Sequence, residues 1–275
     1  MTIPDLIRRV RHAPVLESQD WLWRGARRPY RALLAARARS VGVTRTVNGM
    51  RIRVKAPFQE IASNWEEAPF AAFRAALAPG SIVFDIGASF GLYSIAAGQV
   101  VGPDGAVIAF EPAQETSALL REHLRLNGVG ERVEVVEQVV SDVVGDQVFW
   151  EQRTSLGASL AEAAAQAGRP FVDGELQRRS VPGTTIDAFC AERGLSPDVV
   201  KIDVEGAEAR VLRGARHLLG ARRAAILLEI HPWALEQLGD SADVTLALLG
   251  DAGWSAELLA TDGNTAHYLC RPGPG

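Results

Sequence analysis

The sequence has few cysteines, few lysines and no long apolar run. Cys190 and Cys270 are its only cysteines, and neither belongs to a CxxC pattern, so a disulfide scaffold or a structural zinc site is not expected. No segment approaches the roughly 20 apolar residues that cross a bilayer, and residues 1–20 are too interrupted for a signal peptide. We therefore expect a cytoplasmic protein without a transmembrane segment.

Charge is distributed unevenly along the 275 residues, although the net charge is only -4. Residues 1–55 contain 13 Lys and Arg against 3 Asp and Glu, whereas the other 220 residues contain 16 against 30. This contrast predicts a boundary near residue 55. A basic N-terminal arm or cap (1–55) then precedes a catalytic domain (56–275).

The basic arm interleaves Trp21, Trp23 and Tyr30 with arginines in a helix-like pattern that Pro29 interrupts. Such a segment could lie on an anionic membrane, on RNA, or against the acidic remainder of the protein. We favour an arm that packs on the domain or on a second subunit, which makes a homodimer one expectation and nucleic acid not an expected partner. Residues 47–56 alternate apolar and polar side chains, which predicts a hairpin or edge strand.

From Trp65 onwards helices and strands alternate, as is typical of a mostly parallel sheet covered on both faces. The closing segments 255–259 and 266–271 flank a turn sequence and predict an antiparallel hairpin. The predicted fold is α/β and Rossmann-like, with a mostly parallel seven-stranded sheet. The irregular stretch 152–180 interrupts the alternation and is interpreted as an insertion over the active site. The other predicted strands are 81–86, 106–110, 133–140, 199–203 and 224–230.

A glycine-bearing turn follows the first of these strands, in the segment Val83–Gly91. Open parallel sheets bind ligands beyond the carboxyl ends of their strands, and Gly87 and Gly91 allow a ligand to approach the backbone closely. The spacing differs from the G-x-G-x-x-G of dinucleotide binders, whose pyrophosphate binds bare amides. S-adenosylmethionine has a sulfonium and an ammonium instead, so acidic side chains such as Asp85 are expected around it.

The next two strands end in polar residues that suit an adenosine. Glu111, followed by Pro112, stands 24 residues after Gly87, where a Rossmann-like fold places the acid that binds ribose hydroxyls. An NAD enzyme would have the same acid. Ser141 and Asp142 end the third strand and are expected either to reach the adenine amino group or to cap a turn.

Charged residues also end the last two parallel strands. Lys201, Asp203 and Glu205 alternate along one strand and its extension, so they are expected on one side. Uncompensated buried charges are expensive, so this cluster serves a ligand, a metal or a structural ion-pair network. Glu229 and His231 end the next strand in the same way, where the histidine could accept a proton from an acceptor hydroxyl or be satisfied structurally.

Taken together, these motifs resemble the FkbM family of methyltransferases. The resemblance covers residues 65–260. It implies a class I methyltransferase fold, S-adenosyl-L-methionine as donor with S-adenosyl-L-homocysteine as product, and O-methylation of a natural product, sugar or glycolipid. The motifs, in chain order, are DIGASFGLYS (85–94), FEP (110–112), TTIDAF (184–189), KIDVEGAE (201–208) and LEIH (228–231).

The resemblance also marks cofactor-binding positions. Glu66, shortly before the first strand, stands where similar proteins often have an acid. Ala88 and Tyr93 belong to the first motif. Ser89 replaces an asparagine that is common in the family, and its hydroxyl can form some of the same hydrogen bonds.

For catalysis, the hypothesis is that His231 or Asp203 accepts the proton of the acceptor hydroxyl, with Lys201 in the same cluster. Glu205 and Glu229 are expected to orient the acceptor, a small molecule or a glycan. Asp203, Glu205, Glu229 and His231 could instead hold a divalent cation, which is an alternative rather than the prediction. Two other functions are weighed. An NAD-type oxidoreductase is disfavoured by the glycine spacing, and a non-catalytic scaffold would use the basic arm.

Overall fold

The computed structural model describes residues 36–151, 158–167 and 176–273. The strands in these ranges are β1 (Val43–Val47), β2 (Met50–Val54), β3 (Ile82–Ile86), β4 (Ala106–Phe110), β5 (Val133–Val136), β6 (Val139–Val140), β7 (Gln147–Glu151), β8 (Gln177–Val181), β9 (Gly183–Thr184), β10 (Val199–Ile202), β11 (Ala225–Ile230), β12 (Trp254–Asp262) and β13 (Thr265–Pro272).

The helices lie between these strands and cover the sheet. They are α1 (Glu67–Ala76), α2 (Leu92–Val100), α3 (Gln114–Leu126), α4 (Glu162–Ala167), α5 (Ile186–Arg193), α6 (Glu208–Arg213), α7 (Arg216–Ala221), α8 (Pro232–Gln237) and α9 (Ala242–Asp251). A short 3₁₀ helix, Phe58–Glu60, precedes α1, and residues 36–40 are helical. The short helix α8, directly after His231, was not predicted from the sequence.

A seven-stranded sheet forms the centre, in the order β12-β13-β11-β10-β3-β4-β5. The five strands from β11 to β5 are parallel, and β13 runs antiparallel to both β11 and β12. This confirms the predicted Rossmann-like fold with its antiparallel C-terminal hairpin. Because helices cover both faces, successive residues of β3 enter different hydrophobic clusters, with Val83 in one and Phe84 in the other.

The predicted third strand, 133–140, is wrong in its length. Only Val133–Val136 joins the sheet, while Val139–Val140 pairs with β9 in a separate two-stranded sheet. Between them, the Glu137 carboxylate accepts hydrogen bonds from Ser117 and Arg121 of α3. The chain is therefore anchored to the helix at the point where a regular strand would have continued.

The predicted hairpin near residues 47–56 is present as β1 and β2, which pair with each other and not with the large sheet. Its apolar residues share a hydrophobic cluster with α1, β3 and α2. The buried His123 connects the hairpin to the first glycine turn, because its Nε2 accepts the Lys55 N–H (2.8 Å) and its Nδ1 lies 2.8 Å from the Phe90 carbonyl.

Two predicted segments fall partly outside the described residues. The parts that lie outside are most of the basic arm, together with residues 152–157 and 168–175 of the predicted insertion. The described parts of that segment include α4 and β8, and β8 pairs antiparallel with β7. No helix in the described ranges is both long and apolar enough to span a bilayer.

The aromatic residues of β3, β4 and α5 should dominate the stability of the face that they share. Phe84, Phe110 and Phe189 pack edge to face, with ring centroids 4.9–5.7 Å apart. We expect Phe84→Ala to reduce the free energy of unfolding by about 3–5 kcal/mol, because it leaves a cavity in a close-packed core. Denaturant titration measures this, and the exposed Leu258→Ala should change stability by less than about 0.5 kcal/mol. Similar losses in both variants would contradict the assignment of this face as core.

Candidate functional site

A cavity lies at the carboxyl ends of the parallel strands, where this fold class places its ligands. Its floor comes from the turn after β3, and its walls come from the ends of β4, β10 and β11. The described residues that line it are Trp65, Glu66, Ile86, Gly87, Ala88, Ser89, Phe90, Leu92, Tyr93, Phe110, Glu111, Pro112, Thr116, Gln138, Val139, Val140, Phe149, Ala158, Leu160, Lys201, Asp203, Val204, Glu205, Ala207 and Glu229.

Gly87 cannot be replaced without moving the backbone. Its φ is +77°, and a Cβ at this position would lie 1.7 Å from the Asp203 carbonyl oxygen. The amides of Gly87 and Ala88 both donate to the Phe110 carbonyl oxygen at 3.0 Å. The turn after β3 is thus in direct contact with the ends of both neighbouring strands, which brings the acidic residues of all three to one place.

Glu111 lies against the glycine turn as predicted for the end of the second strand. Its carboxylate accepts the backbone N–H groups of Ser89 and Ala113, both at 2.9 Å. Burial raises the pKa of Glu111 to about 7, against the lowering effect of these two hydrogen bonds. The carboxylate is therefore held rigidly at the cavity wall.

Lys201 is a buried cation that joins the ends of β3 and β10. Its Nζ donates to the Asp203 carboxylate at 2.9 Å and lies 3.9 Å from Asp85 Oδ1. Burial lowers the pKa of Lys201, but the two aspartates outweigh it and raise the pKa above its usual value. Desolvation raises the pKa of Asp203, yet Lys201 and His231 bring it below its usual value. This side of the cavity is therefore a stable ion-pair network.

Glu66 and Tyr93 meet on the opposite wall. The Tyr93 hydroxyl donates to Glu66 Oε2 at 2.7 Å, and the Lys201 ammonium lies 5.0 Å from the centre of the Tyr93 ring. Burial and the nearby Glu229 raise the pKa of Glu66 to about 7. The position that family resemblance marked before the first strand therefore faces the cavity.

His231 stands among four carboxylates. Its Nδ1 lies 2.9 Å from Glu208 Oε1, and its Nε2 lies 3.4 Å from Glu229 and 3.6 Å from Glu205. Asp203 Oδ1 lies 3.9 Å from the same Nε2. Lys201, Asp203, Glu205, Glu229 and His231 thus come together as the strand alternation predicted.

The charges around His231 determine which group can take up a proton. Burial lowers the pKa of His231, but the hydrogen bond to Glu208 and the other carboxylates raise it to about 12. For Glu205, burial raises the pKa to about 7 despite the lowering effect of His231. At neutral pH His231 is therefore an imidazolium, and Glu205 lies near its midpoint of titration.

Sequence reasoning missed two residues of this cluster. His267, to which the sequence assigned no role, is buried on β13 with its Nδ1 3.6 Å from Glu229. Glu208 is completely buried behind His231. The alternation along the last strand of the hairpin could have indicated His267, since that strand pairs with β11. Glu208 is the last residue of the KIDVEGAE motif, and the sequence assigned no role to it.

Ser141 and Asp142 do not line the cavity in the described part of the chain. Ser141 is buried and donates to the Gln147 side chain at 3.0 Å, while Asp142 is exposed. Their displacement follows from the early end of β5, which carries the chain into the small sheet with β9. Gln138 is the polar side chain that reaches the cavity from this segment instead.

Two sets of side chains could in principle hold a metal ion, namely Asp203, Glu205 and His231, and Glu66, Glu229 and His267. Each set has its ligand atoms within 4.8 Å of one another. However, Lys201 and His231 already balance part of this negative charge. We therefore assign no metal to either set.

The cavity fits a cationic nucleoside. A glycine cradle that excludes Cβ lies against the cavity, five carboxylates line it, and the Oγ of the lining residue Ser89 is buried without a hydrogen-bond partner in the described structure. This combination on a Rossmann-like sheet agrees with a class I methyltransferase that uses S-adenosylmethionine. Asp85, which was predicted to lie around the cofactor, is fully buried and is not one of the lining residues.

Comparison with known proteins gives the family. A family model for the methyltransferase FkbM domain matches residues 85–255, and the chain belongs to this family. It is an S-adenosylmethionine-dependent methyltransferase. The chain is also 30% identical over 177 residues to the 31-O-demethyl-FK506 methyltransferase FkbM of Streptomyces tacrolimicus, covering 56% of this chain and 67% of the relative.

Solved structures include more distant relatives. A precorrin-6y C5,15-methyltransferase from Geobacter metallireducens has a TM-score of 0.48 and 16% identity, over 78% of this chain and 91% of that one. A methyltransferase FkbM from Methylobacillus flagellatus has a TM-score of 0.44 and 16% identity, over 73% of this chain and 50% of that one.

Gly87→Ala should abolish most cofactor affinity. We expect binding of S-adenosylhomocysteine, measured by calorimetry, to weaken by at least about tenfold, or 1.4 kcal/mol, because the new methyl group displaces the end of β10. Gly49→Ala is the matched control, since Gly49 has the same φ of +77° and a Cβ added there would meet no heavy atom within 4 Å. Equal affinities in the two variants would show that the contact between Gly87 and Asp203 does not shape the site.

Proposed function

We propose that this methyltransferase transfers its methyl group to a hydroxyl oxygen on a natural product, sugar or glycolipid. The observation that carries the proposal is the position of Glu205, whose carboxylate has a raised pKa and lies at the cavity wall, beside the protonated His231. A hydroxyl is a weak nucleophile and benefits from such a proton acceptor. The name of the Streptomyces tacrolimicus relative, which describes an O-demethyl substrate, also supports oxygen as the acceptor atom.

The glycine-turn side of the cavity would hold the cofactor. Glu111 would accept hydrogen bonds from the ribose hydroxyls, and Ser89 and Pro112 would line the nucleoside beside it. Glu66, held by the Tyr93 hydroxyl, would give the ammonium and sulfonium a negative environment, and Asp85 would contribute from its buried position outside the lining. When bound, S-adenosylmethionine supplies an electrophilic methyl group, and these side chains fix where that group points.

The proposed division of labour differs from the one expected from the sequence. His231 already holds its proton, and Asp203 is neutralised by Lys201, so neither is well suited to accept another proton. Glu205 takes this role in the proposal. Glu229, which lines the cavity, would orient the acceptor hydroxyl toward Glu205, while the apolar lining of Phe149 and Leu160 would keep water away. His231, which lies behind these two carboxylates, would hold them in place.

The reaction would need little else from the protein. Methyl transfer is a displacement at carbon, so alignment of the acceptor oxygen with the methyl group provides most of the acceleration. The Glu205 carboxylate would take the hydroxyl proton as the carbon–oxygen bond forms and the carbon–sulfur bond breaks, with S-adenosylhomocysteine as the leaving group. Its backbone is held by the buried Ser159, whose hydroxyl donates to the Glu205 carbonyl oxygen at 2.7 Å.

The choice of acceptor atom can be tested directly. We expect transfer of labelled methyl groups to members of a panel of hydroxylated macrolides, sugars and glycolipids, and no transfer to analogues in which the reactive hydroxyl is replaced by an amine. Methylation of the amines at equal rates would contradict the assignment of oxygen. Activity that disappears with EDTA and returns with Mg²⁺ would favour the alternative in which the cluster holds a metal.

Glu205→Gln should lower kcat by about 10²–10⁴-fold, the usual contribution of a general base. In the wild type the carboxylate form is active, so kcat should rise as pH increases through about 7 and then level off. Glu192→Gln, on an exposed position of α5, is the control and should keep the wild-type profile. If Glu205→Gln retains both full activity and the rise of kcat near pH 7, Glu205 is not the proton acceptor.

Calorimetry distinguishes the remaining alternatives for the whole protein. We expect S-adenosylhomocysteine to bind and NAD not to bind. Binding of NAD alone would favour an oxidoreductase, and binding of neither would favour a scaffold that uses the basic arm. The homodimer through residues 1–55 stays a prediction, because most of that arm lies outside the described residues.

A further inference from the structure

We propose that Glu208 is a positioning residue that holds His231 from behind and keeps its Nε2 turned toward the carboxylates of the cavity. This inference rests on the proposed function, and it concerns a residue that has no part in the proposed proton transfer. Glu208 does not line the cavity. It would therefore act through His231 and not on the acceptor itself.

Burial and hydrogen bonding fix the Glu208 side chain. The residue is 0% exposed, and its Oε1 accepts the Gly206 N–H at 3.0 Å and lies 2.9 Å from His231 Nδ1. Its Oε2 has no hydrogen-bond partner in the described structure. Burying a carboxylate is costly without a partner, so the ion pair with His231 is its principal compensation.

The geometry of the imidazole ring makes this contact directional. The two ring nitrogens are distinct, and the hydrogen bond of one decides what the other can do. With Nδ1 bound to Glu208, Nε2 is left to face Glu229 and Glu205 at 3.4 and 3.6 Å. Rotation of the ring would break the contact with Glu208 and leave its carboxylate unpaired.

The backbone around Glu208 fixes the distance between the Glu208 and His231 side chains. Gly206 has a φ of +106°, and a Cβ there would lie 2.6 Å from the Ala234 carbonyl carbon of α8. The loop that leads into α6 is thus packed directly on the helix that follows His231. The two ends of the Glu208–His231 contact cannot separate without disrupting this packing.

The charge of Glu208 has a chemical consequence at Glu205. Carboxylates face His231 from three elements: Glu208 from α6, Asp203 and Glu205 from the segment after β10, and Glu229 from β11. The nearest further basic side chains are Lys201, beside Asp203, and His267, beside Glu229. Burial alone would remove the proton from His231, and the hydrogen bond to Glu208 is the largest opposing influence. A charged His231 in turn favours the ionised form of Glu205, and this effect is larger than the direct effect of the Glu208 charge, which favours the protonated form.

The first test uses the wild-type protein and needs no acceptor. Histidine-labelled protein is titrated between pH 6 and 9 by NMR, with the His231 signal assigned by its loss in His231→Asn. We expect His231 to keep its proton throughout. Titration of His231 near its ordinary value of about 6.5 would overturn the proposal.

The second test compares Glu208→Gln, which keeps the shape but loses the charge, with Glu208→Asp, which keeps the charge. In Glu208→Gln we expect His231 to titrate within the window and the rise of kcat to move to higher pH. Because the Glu205 pKa is about 7, a rise of about one unit lowers its ionised fraction at pH 7, and with it kcat, by about fivefold. The KM for S-adenosylmethionine should change by less than about twofold. In Glu208→Asp we expect His231 to stay protonated. Glu236→Gln, exposed on α8, should behave as the wild type.

A double-mutant cycle separates positioning from general structural damage. If Glu208 acts through His231, Glu208→Gln should have no further effect on kcat in the His231→Asn background. An equal fall in both backgrounds would contradict the proposal. The NMR titration is independent of turnover, so the two proposals can fail separately. Failure to find a methylated hydroxyl would count against the proposed function alone. Titration of His231 near its ordinary pKa, with intact O-methylation, would count against the role of Glu208 alone.

Discussion

The charge balance at the carboxyl ends of the parallel strands is the constraint on which this structure depends. Carboxylates from four consecutive strands of the sheet converge there, and most of them are buried or partly buried. Like charges in such a place would take up protons or separate the strands unless cations lay among them. Lys201 and His231 are these cations, and each contacts carboxylates from more than one element.

The two cations divide the cavity into two regions. Lys201 neutralises Asp203 and lies near Asp85, so the region beside the glycine turn is a stable network whose hydrogen-bonding capacity is only partly used. His231 contacts Glu205, after β10, and Glu229, at the end of β11, and Glu205 has an intermediate affinity for protons. The proposed methyl transfer to a hydroxyl would use the first region for the cofactor and the second for proton exchange.

Close backbone packing makes this arrangement possible. Gly87 touches the end of β10, and Gly206 touches the start of α8. Both contacts need the absence of a Cβ, and both lie within a few residues of the acidic side chains. The electrostatic cluster is therefore formed by backbone segments in contact, which leaves its members little freedom to move apart.

The order of strands and motifs could be predicted from the sequence to a large extent. Apolar runs mark the buried parallel strands, and polar residues at their ends must meet at one edge because parallel strands share a direction. For this reason the convergence of Asp85, Glu111 and Lys201 was predictable. The displacement of Ser141 was not, because it follows from contacts between Glu137 and α3 that no local pattern records.

By itself, the sequence determined the fold class, the family and the identity of most cavity-lining charges, since all of these follow from strand periodicity and motif spacing. Only the tertiary structure decided the protonation states and the partners. His231 could be expected at the site from its place in the chain, but its charge depends on Glu208 and on the burial that the whole fold imposes. The affinity of a group for protons is set by neighbours in space, and these come from distant parts of the chain.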